Sequence, residues 1–293
     1  MELRQIRYAV ALSETRNFTR AAARCFVAQS ALSHQIKGLE RELGVTLFAR
    51  TSRRVELTAA GEAFLPGARQ CLEAAERAAA DAAAAMGEVR GRLAIGIIPT
   101  VVALDIPAIL QHFRGRHPHV RVSLRVGASD ALAADVASGK LDVAVLGLPE
   151  EEKPRGVEAR ELARQRLVAV VPRDHDLSGR RKVTLRKLAD SPFVDFPAGT
   201  PGRAQSDQAF AAAELDRDVA YEVTSADLML RIVAQGLAVA LLPAPIAAAA
   251  SGIQSVPITQ GPVRVEHLVW GHFNPTPATR AFLQSVQEST KAR

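Results

Sequence analysis

Polar side chains near the amino terminus occupy positions that suit contact with a DNA groove. In the segment Phe18–Lys37, the small residues Ala21 and Ala22 allow two helices to cross closely. Leu32 and Ile36 mark the buried face of the second helix. The polar residues left over on that helix are Gln29, Ser30, Ser33, His34 and Lys37. Glutamine and serine can exchange hydrogen bonds with base edges, whereas lysine is better suited to a phosphate. The pattern therefore predicts a helix-turn-helix that reads a major groove.

A basic stretch follows this segment at Phe48–Thr58. Its arginines Arg50, Arg53 and Arg54 would form a wing over the phosphates. On the first helix of the pair, Thr19 and Arg20 are further candidates for DNA contact. The alternative is an ordinary three-helix packing unit with a solvated polar face, and Phe26 stands where the turn usually has glycine. The basic loop at this position favours DNA binding.

The spacing of apolar residues predicts three short helices before this wing. The first is marked by Leu3, Ile6, Tyr8, Val10 and Leu12. The second is marked by Ala21, Ala22, Cys25 and Phe26. The third runs over Gln29–Leu43 and carries Leu32, Ile36, Leu39 and Leu43 on one face. Three helices in so short a segment suit a compact winged unit.

These residues also carry a family resemblance. The matching segments of the first 65 residues are Phe18–Ala22, Ala28–Ile36, Leu39–Arg50 and Leu57–Gly61, which closely resemble LysR-type transcriptional regulators. Weaker signatures continue at Gly91–Gly96, Gly139–Ala144 and Val233–Pro243. The resemblance implies a winged helix-turn-helix, a long dimerising linker helix and a two-lobed domain like that of periplasmic binding proteins, commonly assembled as a tetramer. Ser30 stands where the family often has proline and His34 where it often has arginine, and both departures bear on the base preference.

The resemblance also implies an effector cleft between the two lobes, on loops that follow strands. The candidates in the first lobe are Pro99, Thr100, Val101, Ser129, Asp130 and Gly147. Those in the second lobe are Phe196, Gly199, Thr200, Thr224 and Ser225. Thr100, Ser129, Thr200 and Ser225 lie at or near predicted helix N-termini, where free N–H groups and the helix dipole favour an anion or a carboxylate. Taken singly, each hydroxyl is more often a plain N-cap, and Phe196 could equally be a buried aromatic at a strand end.

A long alanine-rich helix is predicted between the wing and the remainder of the chain. Thr58 can cap it, and small or apolar residues recur along it at spacings of three and four. This seam consists of Leu65, Ala68, Leu72, Ala75, Ala79, Ala82 and Met86. A charged face lies opposite at Glu73, Glu76, Arg77 and Asp81, and Pro66 is expected to be tolerated only in a first turn. The pattern favours self-association over packing on the helix's own domain.

From Arg92 onward, short apolar runs alternate with amphipathic segments. The predicted strands are Leu93–Ile98, Val120–Val126, Leu141–Leu146, Leu167–Val171, Phe193–Phe196, Val219–Val223, Leu237–Leu242 and Val263–Trp270. The predicted helices are Ala103–Arg116, Asp130–Ser138, Arg203–Ala213 and Ala226–Ala234. Alternation of this kind predicts mostly parallel sheets, with ligands at the carboxyl ends of the strands. The expected fold class is α/β with an N-terminal all-α winged helix-turn-helix and a two-lobed, periplasmic-binding-protein-like effector domain.

Length and charge divide the chain in the same way. At 293 residues it is long enough for two cores, and the expected parts are a DNA-binding domain over 1–57, a linker helix over 58–90 and an effector domain over 91–293. The net charge is +6, and residues 1–60 hold ten basic against five acidic side chains. This excess of positive charge favours DNA as the partner of residues 1–60. The amino terminus lacks a signal-peptide pattern, so a cytoplasmic location is expected.

Other kinds of chemistry find little support. Cys25 and Cys71 have no metal-ligand spacing and are expected to be reduced packing residues, although a redox switch between them stays open. His117 and His119 lack a third ligand and are interpreted as a loop. The uncharged stretch between Arg231 and Arg264 is interrupted by glycine and proline, which favours a buried strand and short helix over a membrane span.

No catalytic constellation or cofactor motif stands out, so neither an enzyme nor a cofactor is expected. Two competing classes remain. A free solute-binding protein would share the two-lobed domain but should carry an export signal and no basic head. An α/β enzyme fused to a dimerising helix stays open, because a fold does not fix a function.

Overall fold

Three helices and a hairpin build the head of the chain. The computed structural model describes residues 1–50, 55–248, 250–272 and 275–291, with the backbone alone described for Arg50 and Lys291. The head consists of α1 (Leu3–Thr15), α2 (Phe18–Arg24), α3 (Gln29–Leu43), β1 (Phe48–Arg50) and β2 (Val55–Leu57). The two strands pair antiparallel. The predicted three helices are confirmed, and β1 and β2 pair where the wing is expected.

The head's core follows the predicted apolar faces with three exceptions, the first being Leu3, which is 47% exposed at the start of α1. Leu32, Ile36 and Leu39 of α3 are buried, but Leu43 at the helix end is 37% exposed. The expectation that Leu43 shares the buried face is wrong, because the chain turns away at Gly44, which is in the left-handed conformation. Phe26 is not helical either: α2 ends at Arg24, and Phe26 forms the turn before α3.

A 27-residue helix, α4 (Ala59–Ala85), follows the hairpin. The Thr58 hydroxyl accepts a hydrogen bond from the Gly61 N–H at 3.0 Å, which confirms the predicted cap. Gly61 is required there, because a Cβ atom would lie 2.2 Å from the Leu47 carbonyl oxygen. The expectation for Pro66 is wrong: it lies inside α4, beyond the first turn. Its side chain is exposed, so the ring projects to solvent instead of into a packed face.

The chain divides into two compact units, Met1–Gly87 and Glu88–Arg293. The second unit contains the elements β3 (Gly91–Ile97), α5 (Ile106–Arg116), β4 (Val120–Val126), α6 (Ser129–Ala137), β5 (Val143–Pro149), β6 (Glu158–Pro172), α7 (Leu185–Leu188), β7 (Phe193–Asp195), α8 (Pro201–Ala212), β8 (Val219–Glu222), α9 (Ala226–Ala234), β9 (Ala240–Pro243), α10 (Ala244–Ala248), β10 (Ile253–Pro257), β11 (Val263–Trp270) and α11 (Pro277–Lys291). Most predicted strands and helices are present with shifted ends, as for β5 and β9.

The expectation of mostly parallel sheets is wrong. The strands β3, β4 and β5 are parallel, as are β7 and β8. However, β11 runs antiparallel to both β5 and β6, and β6 runs antiparallel to β9 and β10. The reason is topological: β6 leaves the first lobe for the second, and β11 returns in the opposite direction beside it.

Two neighbouring crossings connect the lobes. The first half of β6, up to Arg166, pairs with β11 in the first lobe, and Leu167–Pro172 pair with β9 and β10 in the second. The second crossing is the segment before β11. The Leu167 N–H donates to the Pro262 carbonyl at 2.9 Å, so the crossings are hydrogen-bonded to each other.

Each lobe packs helices on both faces of its sheet. In the first, Phe113 of α5 meets Phe282 of α11 edge-on, with ring centroids 5.6 Å apart. In the second, Phe193 and Phe210 meet in the same way at 5.4 Å. The uncharged stretch before Arg264 forms the buried strand β9 and the short helix α10, as predicted. Among the described helices, none is both long and apolar enough to cross a membrane.

Candidate nucleic-acid interface and effector site

The first turns of α3 present a polar surface to solvent. The predicted DNA contacts Gln29, Ser30, His34 and Lys37 are exposed, and Ser33 is half-buried. The N-cap residue of α3 is Ala28, which has no capping side chain. The first backbone N–H groups of the helix are therefore left for another acceptor, and a phosphate oxygen suits that position.

Hydrogen bonds at the start of α2 fix the helix that supports α3. The Asn17 side chain caps α2 by accepting from the Arg20 N–H at 3.0 Å. The Arg20 guanidinium turns back and donates to the Thr15 carbonyl at 2.9 Å, while Thr19 is exposed. Arg20 is thus anchored to the end of α1, which limits the reach of its guanidinium.

The wing is anchored on α3 by a carboxylate. Glu40 Oε1 accepts from the backbone N–H groups of Leu47 at 2.8 Å and Phe48 at 3.1 Å. Burying this carboxylate edge beside two N–H donors fixes the start of β1 relative to the reading helix. The side chain of Arg50 and the residues Arg53 and Arg54 lie outside the described residues, so their role remains a prediction.

In the second unit, Thr100 is held by a buried arginine. The Arg264 guanidinium of β11 donates to the Thr100 hydroxyl at 2.6 Å and to the Thr100 carbonyl at 2.9 Å. It also donates to Gln165 of the crossing strand β6 at 3.2 Å. Arg264 and Thr100 are each 3% exposed. The expectation that Thr100 lies near a helix N-terminus is wrong, because α5 begins at Ile106 and is capped by Asp105.

Arg264 is paired with an equally buried carboxylate, Glu266. The Glu266 carboxylate also accepts from the N–H groups of Val102 at 3.1 Å and Ala103 at 3.0 Å. Burial raises the pKa of Glu266, and the arginine and the two N–H donors oppose that rise. The pair therefore ties the loop after β3 to the strand that returns from the second lobe.

Gly147 is the point where the two lobes meet. The Ser129 hydroxyl donates to the Gly147 carbonyl at 3.1 Å and accepts from the Gly147 N–H at 3.0 Å. Gln205 of α8, in the second lobe, donates to the same carbonyl at 3.3 Å. A Cβ at Gly147 would lie 2.7 Å from Ile98 Cδ1 and 3.2 Å from Arg264 Cδ, so only glycine fits. Ser129 is the first residue of α6 and bonds across the site, so it is not a plain N-cap.

The remaining candidates are dispersed. Thr200 and Ser225 cap α8 and α9, so for these two hydroxyls the N-cap interpretation is the one the structure bears out. The other candidates differ in burial: Pro99, Val101 and Phe196 are half-buried, and Asp130, Gly199 and Thr224 are exposed. The structure brings Thr100, Ser129 and Gly147 into one cluster and leaves Ser225 exposed at a helix start.

Comparison with known proteins decides the family. Residues 3–62 match the "Bacterial regulatory helix-turn-helix protein, lysR family", and residues 86–291 match the "LysR substrate binding domain". The chain belongs to the LysR family of bacterial transcriptional regulators. It is a DNA-binding regulator with an effector-binding domain, and the family is one of regulators, not of enzymes.

Similar proteins extend over the full length of this LysR-family regulator. It is 34% identical over 289 residues to the uncharacterized HTH-type transcriptional regulator YnfL of Escherichia coli K12, with 96% of each chain covered. It is 33% identical over 292 residues to the hca operon transcriptional activator HcaR of the same organism, with 98% of each covered. Full-length CbnR in complex with its target DNA has a TM-score of 0.70 at 29% identity, covering 99% of this chain and 100% of that one. A full-length OxyR variant from Pseudomonas aeruginosa has a TM-score of 0.72 at 27% identity, covering 99% and 95%.

The buried polar residues that bond to the effector-site candidates were not predicted from the sequence. Arg264 and Glu266 stand two apart in the apolar run Val263–Trp270, which places both on one face of a strand. Two opposite charges on one face of an otherwise buried strand were the available signal. Gln205 and the neighbouring Ser206, also buried, gave no such signal, because a polar pair in an amphipathic helix is ordinary.

The cysteines of the regulator differ in exposure. Cys25 is half-buried and Cys71 is exposed. Burial raises the pKa of the Cys25 thiol, against the lowering effect of Arg24 and Arg7. A raised pKa reduces the thiolate fraction on which oxidation depends, which argues against a sensing role for Cys25. Among the described residues, no group of histidine, cysteine or acidic side chains could hold a metal ion.

Proposed function

We propose that this regulator reads its operator with the first turns of α3 and holds the duplex with the wing. The observation that carries the proposal is the exposed polar face of α3, with Gln29 and Lys37 in solvent on a helix whose opposite face is buried. In helix-turn-helix proteins the N-terminal residues of the second helix reach base edges. Gln29 is then a base reader, Lys37 a phosphate contact, and Arg50, Arg53 and Arg54 phosphate contacts from the wing.

The two kinds of contact are separable by mutation. Gln29→Ala is expected to weaken operator binding by about 1–3 kcal/mol and to leave binding to random DNA nearly unchanged. Lys37→Ala is expected to weaken both equally and to make the salt dependence shallower by about one counterion. The operator is first selected from random duplexes with the full chain, and affinities are then measured on both DNAs at several salt concentrations.

A matched control is Arg41→Gln, which removes an exposed charge in the last turn of the same helix, away from the first turns, and is expected to bind the operator as the parent does. If both test variants bind as the parent does, α3 is not the reading helix. If the parent selects no duplex at any salt concentration, the proposed function fails as a whole.

We further propose the three-part division anticipated from the sequence, with a head over 1–57, a linker helix over 58–90 and an effector domain over 91–293. Self-association through α4 would place two heads on two half-sites, either as a dimer or as a tetramer. Because operator DNA lies in the cytoplasm of a bacterium, we propose that the regulator acts there.

For the effector we propose a small polar molecule bound where the lobes meet. Two buried polar atoms, Arg264 Nε on β11 and the hydroxyl of Ser206, which follows Gln205 on α8, have no hydrogen-bond partner among the described residues. Buried donors of this kind are costly unless a partner satisfies them. One is cationic and the other can donate, which favours an anion or a carboxylic acid with its polar end near Gly147.

Ser206→Ala is the sharpest test of that site. Because the hydroxyl is buried without a partner, its removal is expected to leave the free energy of unfolding unchanged or to raise it. A thermal-shift screen of the full chain against small carboxylic acids, amino acids and sugars finds a ligand by the rise in melting temperature. The variant should then bind that ligand about tenfold more weakly, the loss of one hydrogen bond in a buried site.

Ser138→Ala is the control, because Ser138 is exposed at the end of α6. Equal affinity in the parent and in Ser206→Ala would place the effector elsewhere. That outcome would not bear on DNA binding by the parent, so the effector site and the DNA-reading helix are tested separately.

A further inference from the structure

Phe26 is the most exposed large apolar side chain among the residues that the structure describes. It lies in the turn between α2 and α3 and is 94% exposed. Its neighbour Val27 packs against the core of the head, so the chain on either side is fixed while the ring stands in water. The ring therefore contributes almost nothing to the hydrophobic stabilisation of the head.

The backbone of Phe26 adds a second cost. Its φ is 56°, in the left-handed region that favours glycine. Two hydrogen bonds hold it there: the Phe26 N–H donates to the Ala23 carbonyl at 3.2 Å, and the Val27 N–H donates to the Ala22 carbonyl at 3.0 Å. This is the Schellman pattern, in which the left-handed position is usually glycine or asparagine. The turn needs the conformation but gains nothing from a phenyl ring.

An exposed ring in a strained conformation indicates a role outside the folding of the head. Strained residues that the surrounding structure holds in place are concentrated at binding sites. Asparagine or glycine would satisfy the turn and remove both costs, so folding alone does not account for phenylalanine. The ring is best explained by a partner that covers it.

The position of Phe26 identifies that partner as duplex DNA. Only Val27 and Ala28 separate it from Gln29, the first residue of α3. If the first turns of α3 enter a major groove, the turn that precedes them lies at the rim, where the duplex presents phosphates and deoxyribose. Deoxyribose is the apolar part of that rim, and an aromatic ring can pack on it without regard to sequence.

We propose that Phe26 packs against a deoxyribose at the rim of the groove read by α3, as a sequence-independent apolar contact. This rests on the proposed function, because it requires α3 to be the reading helix. The contact differs in kind from those of Gln29 and Lys37: it favours neither a particular base nor the release of a counterion.

The test compares Phe26→Asn with Phe26→Tyr in the full chain. Asparagine tolerates the left-handed conformation, so this variant is expected to melt at the same or a higher temperature than the parent. Its affinity should fall about tenfold on the selected operator and on a scrambled duplex alike, the size expected for uncovering one ring. The slope of affinity against salt concentration should not change. Phe26→Tyr keeps the ring and should bind within about twofold of the parent.

The matched control is Leu3→Gln, which removes an apolar side chain that is 47% exposed at the start of α1. Its DNA affinity is expected to equal that of the parent. Anisotropy titrations on both duplexes at three salt concentrations, with sedimentation of each variant, complete the experiment.

Three results would overturn the proposal. If Phe26→Asn binds DNA as tightly as the parent and the parent still selects its operator, Phe26 does not contact the DNA, and the proposed function stands. A loss confined to the operator, reproduced by exchanging thymine for uracil, assigns the ring to a base methyl group instead of a sugar. A change in sedimentation that accounts for the lost DNA affinity assigns the ring to a contact between copies of the chain.

Discussion

Single buried polar residues connect distant parts of the chain in the second unit. Arg264 and Thr100 are separated by 164 residues, and Gln205 and Gly147 by 58. Each of these bonds is made by a group that would be costly to bury alone. The Arg264–Thr100 bond fixes the loop after β3 within the first lobe, and the Gln205–Gly147 bond requires a specific arrangement of the two lobes, which the apolar clusters by themselves do not define.

His267 gives this region a pH dependence. It lies on β11 next to Glu266, is 9% exposed, and faces Glu161 and Arg164 of β6. Burial lowers its pKa below 6.5, outweighing Glu161, which raises it. The unfolded chain then binds the proton first, so stability is complete above about pH 6.5 and falls as the pH drops towards the folded-state pKa, by at most about 1.4 kcal/mol per pH unit.

The substitution His267→Gln should reduce the loss of folding stability at low pH. We expect the melting temperature of the parent to fall more between pH 7.5 and pH 5.5 than that of the variant, as measured by calorimetry. Comparable decreases in the two proteins would show that burial of His267 has no influence on the acid sensitivity.

The family resemblance predicted some residues of the buried cluster, and the residues that bond to them were not identified from the sequence. Thr100, Ser129 and Gly147 were expected from the resemblance, and the structure places them in one cluster. Their partners Arg264 and Gln205 come from a strand and a helix far along the chain. A one-dimensional pattern does not show which distant polar groups meet, because that depends on how the lobes pack.

Among the elements, α4 contains the residues of the predicted seam as far as Ala82, and their role in self-association stays a prediction. Leu65 and Ala68 are buried, Ala79 and Ala82 are exposed, and Met86 is 86% exposed. Of the expected charged face opposite the seam, only Glu76 is exposed, and Glu73, Arg77 and Asp81 are half-buried. A row of small exposed residues on a 27-residue helix suits close approach of a second helix.

Replacing both Ala75 and Ala79 by Glu should weaken self-association. Like charges brought together in a seam are costly, and we expect the dissociation constant of the oligomer to rise about tenfold or more, with DNA affinity falling in parallel. The double variant Ala74→Glu and Ala78→Glu adds the same charges to exposed positions off the seam and should behave as the parent. Sedimentation that finds the seam variant fully associated would remove α4 as the interface.

The long strand β6 shows where element prediction failed. Only Leu167–Val171 was expected, yet the strand extends over 15 residues from Glu158. Its first half is rich in charged residues and largely exposed, so it lacks the apolar run that marks a buried strand. Pairing with β11 supplies the backbone partners instead, and such pairing is not visible in local sequence.

At the scale of the whole molecule, charge and chemistry are divided between the two ends of the chain. Residues 1–60 carry a net charge of +5 out of the total of +6. The remainder is nearly neutral, and its charged groups include the buried pair Arg264–Glu266. A basic head increases the rate of encounter with DNA. Because the charges outside the head nearly cancel, we expect ligand selection to depend on local hydrogen bonds.

The paired crossings at Leu167 and Pro262 have a consequence for how such a regulator can be rebuilt. In chain terms the second lobe is one insertion, residues 167–261, whose two ends lie side by side and are joined by the 2.9 Å hydrogen bond from the Leu167 N–H to the Pro262 carbonyl. Segments with adjacent ends are the ones that can be exchanged between proteins without disturbing the host sheet. The first lobe would keep β3, β5 and β11 in register if a different lobe were grafted at these two positions. The part of the ligand preference that comes from α8 would then be inherited with the graft, while Arg264, Gly147 and the DNA-binding head stayed unaltered.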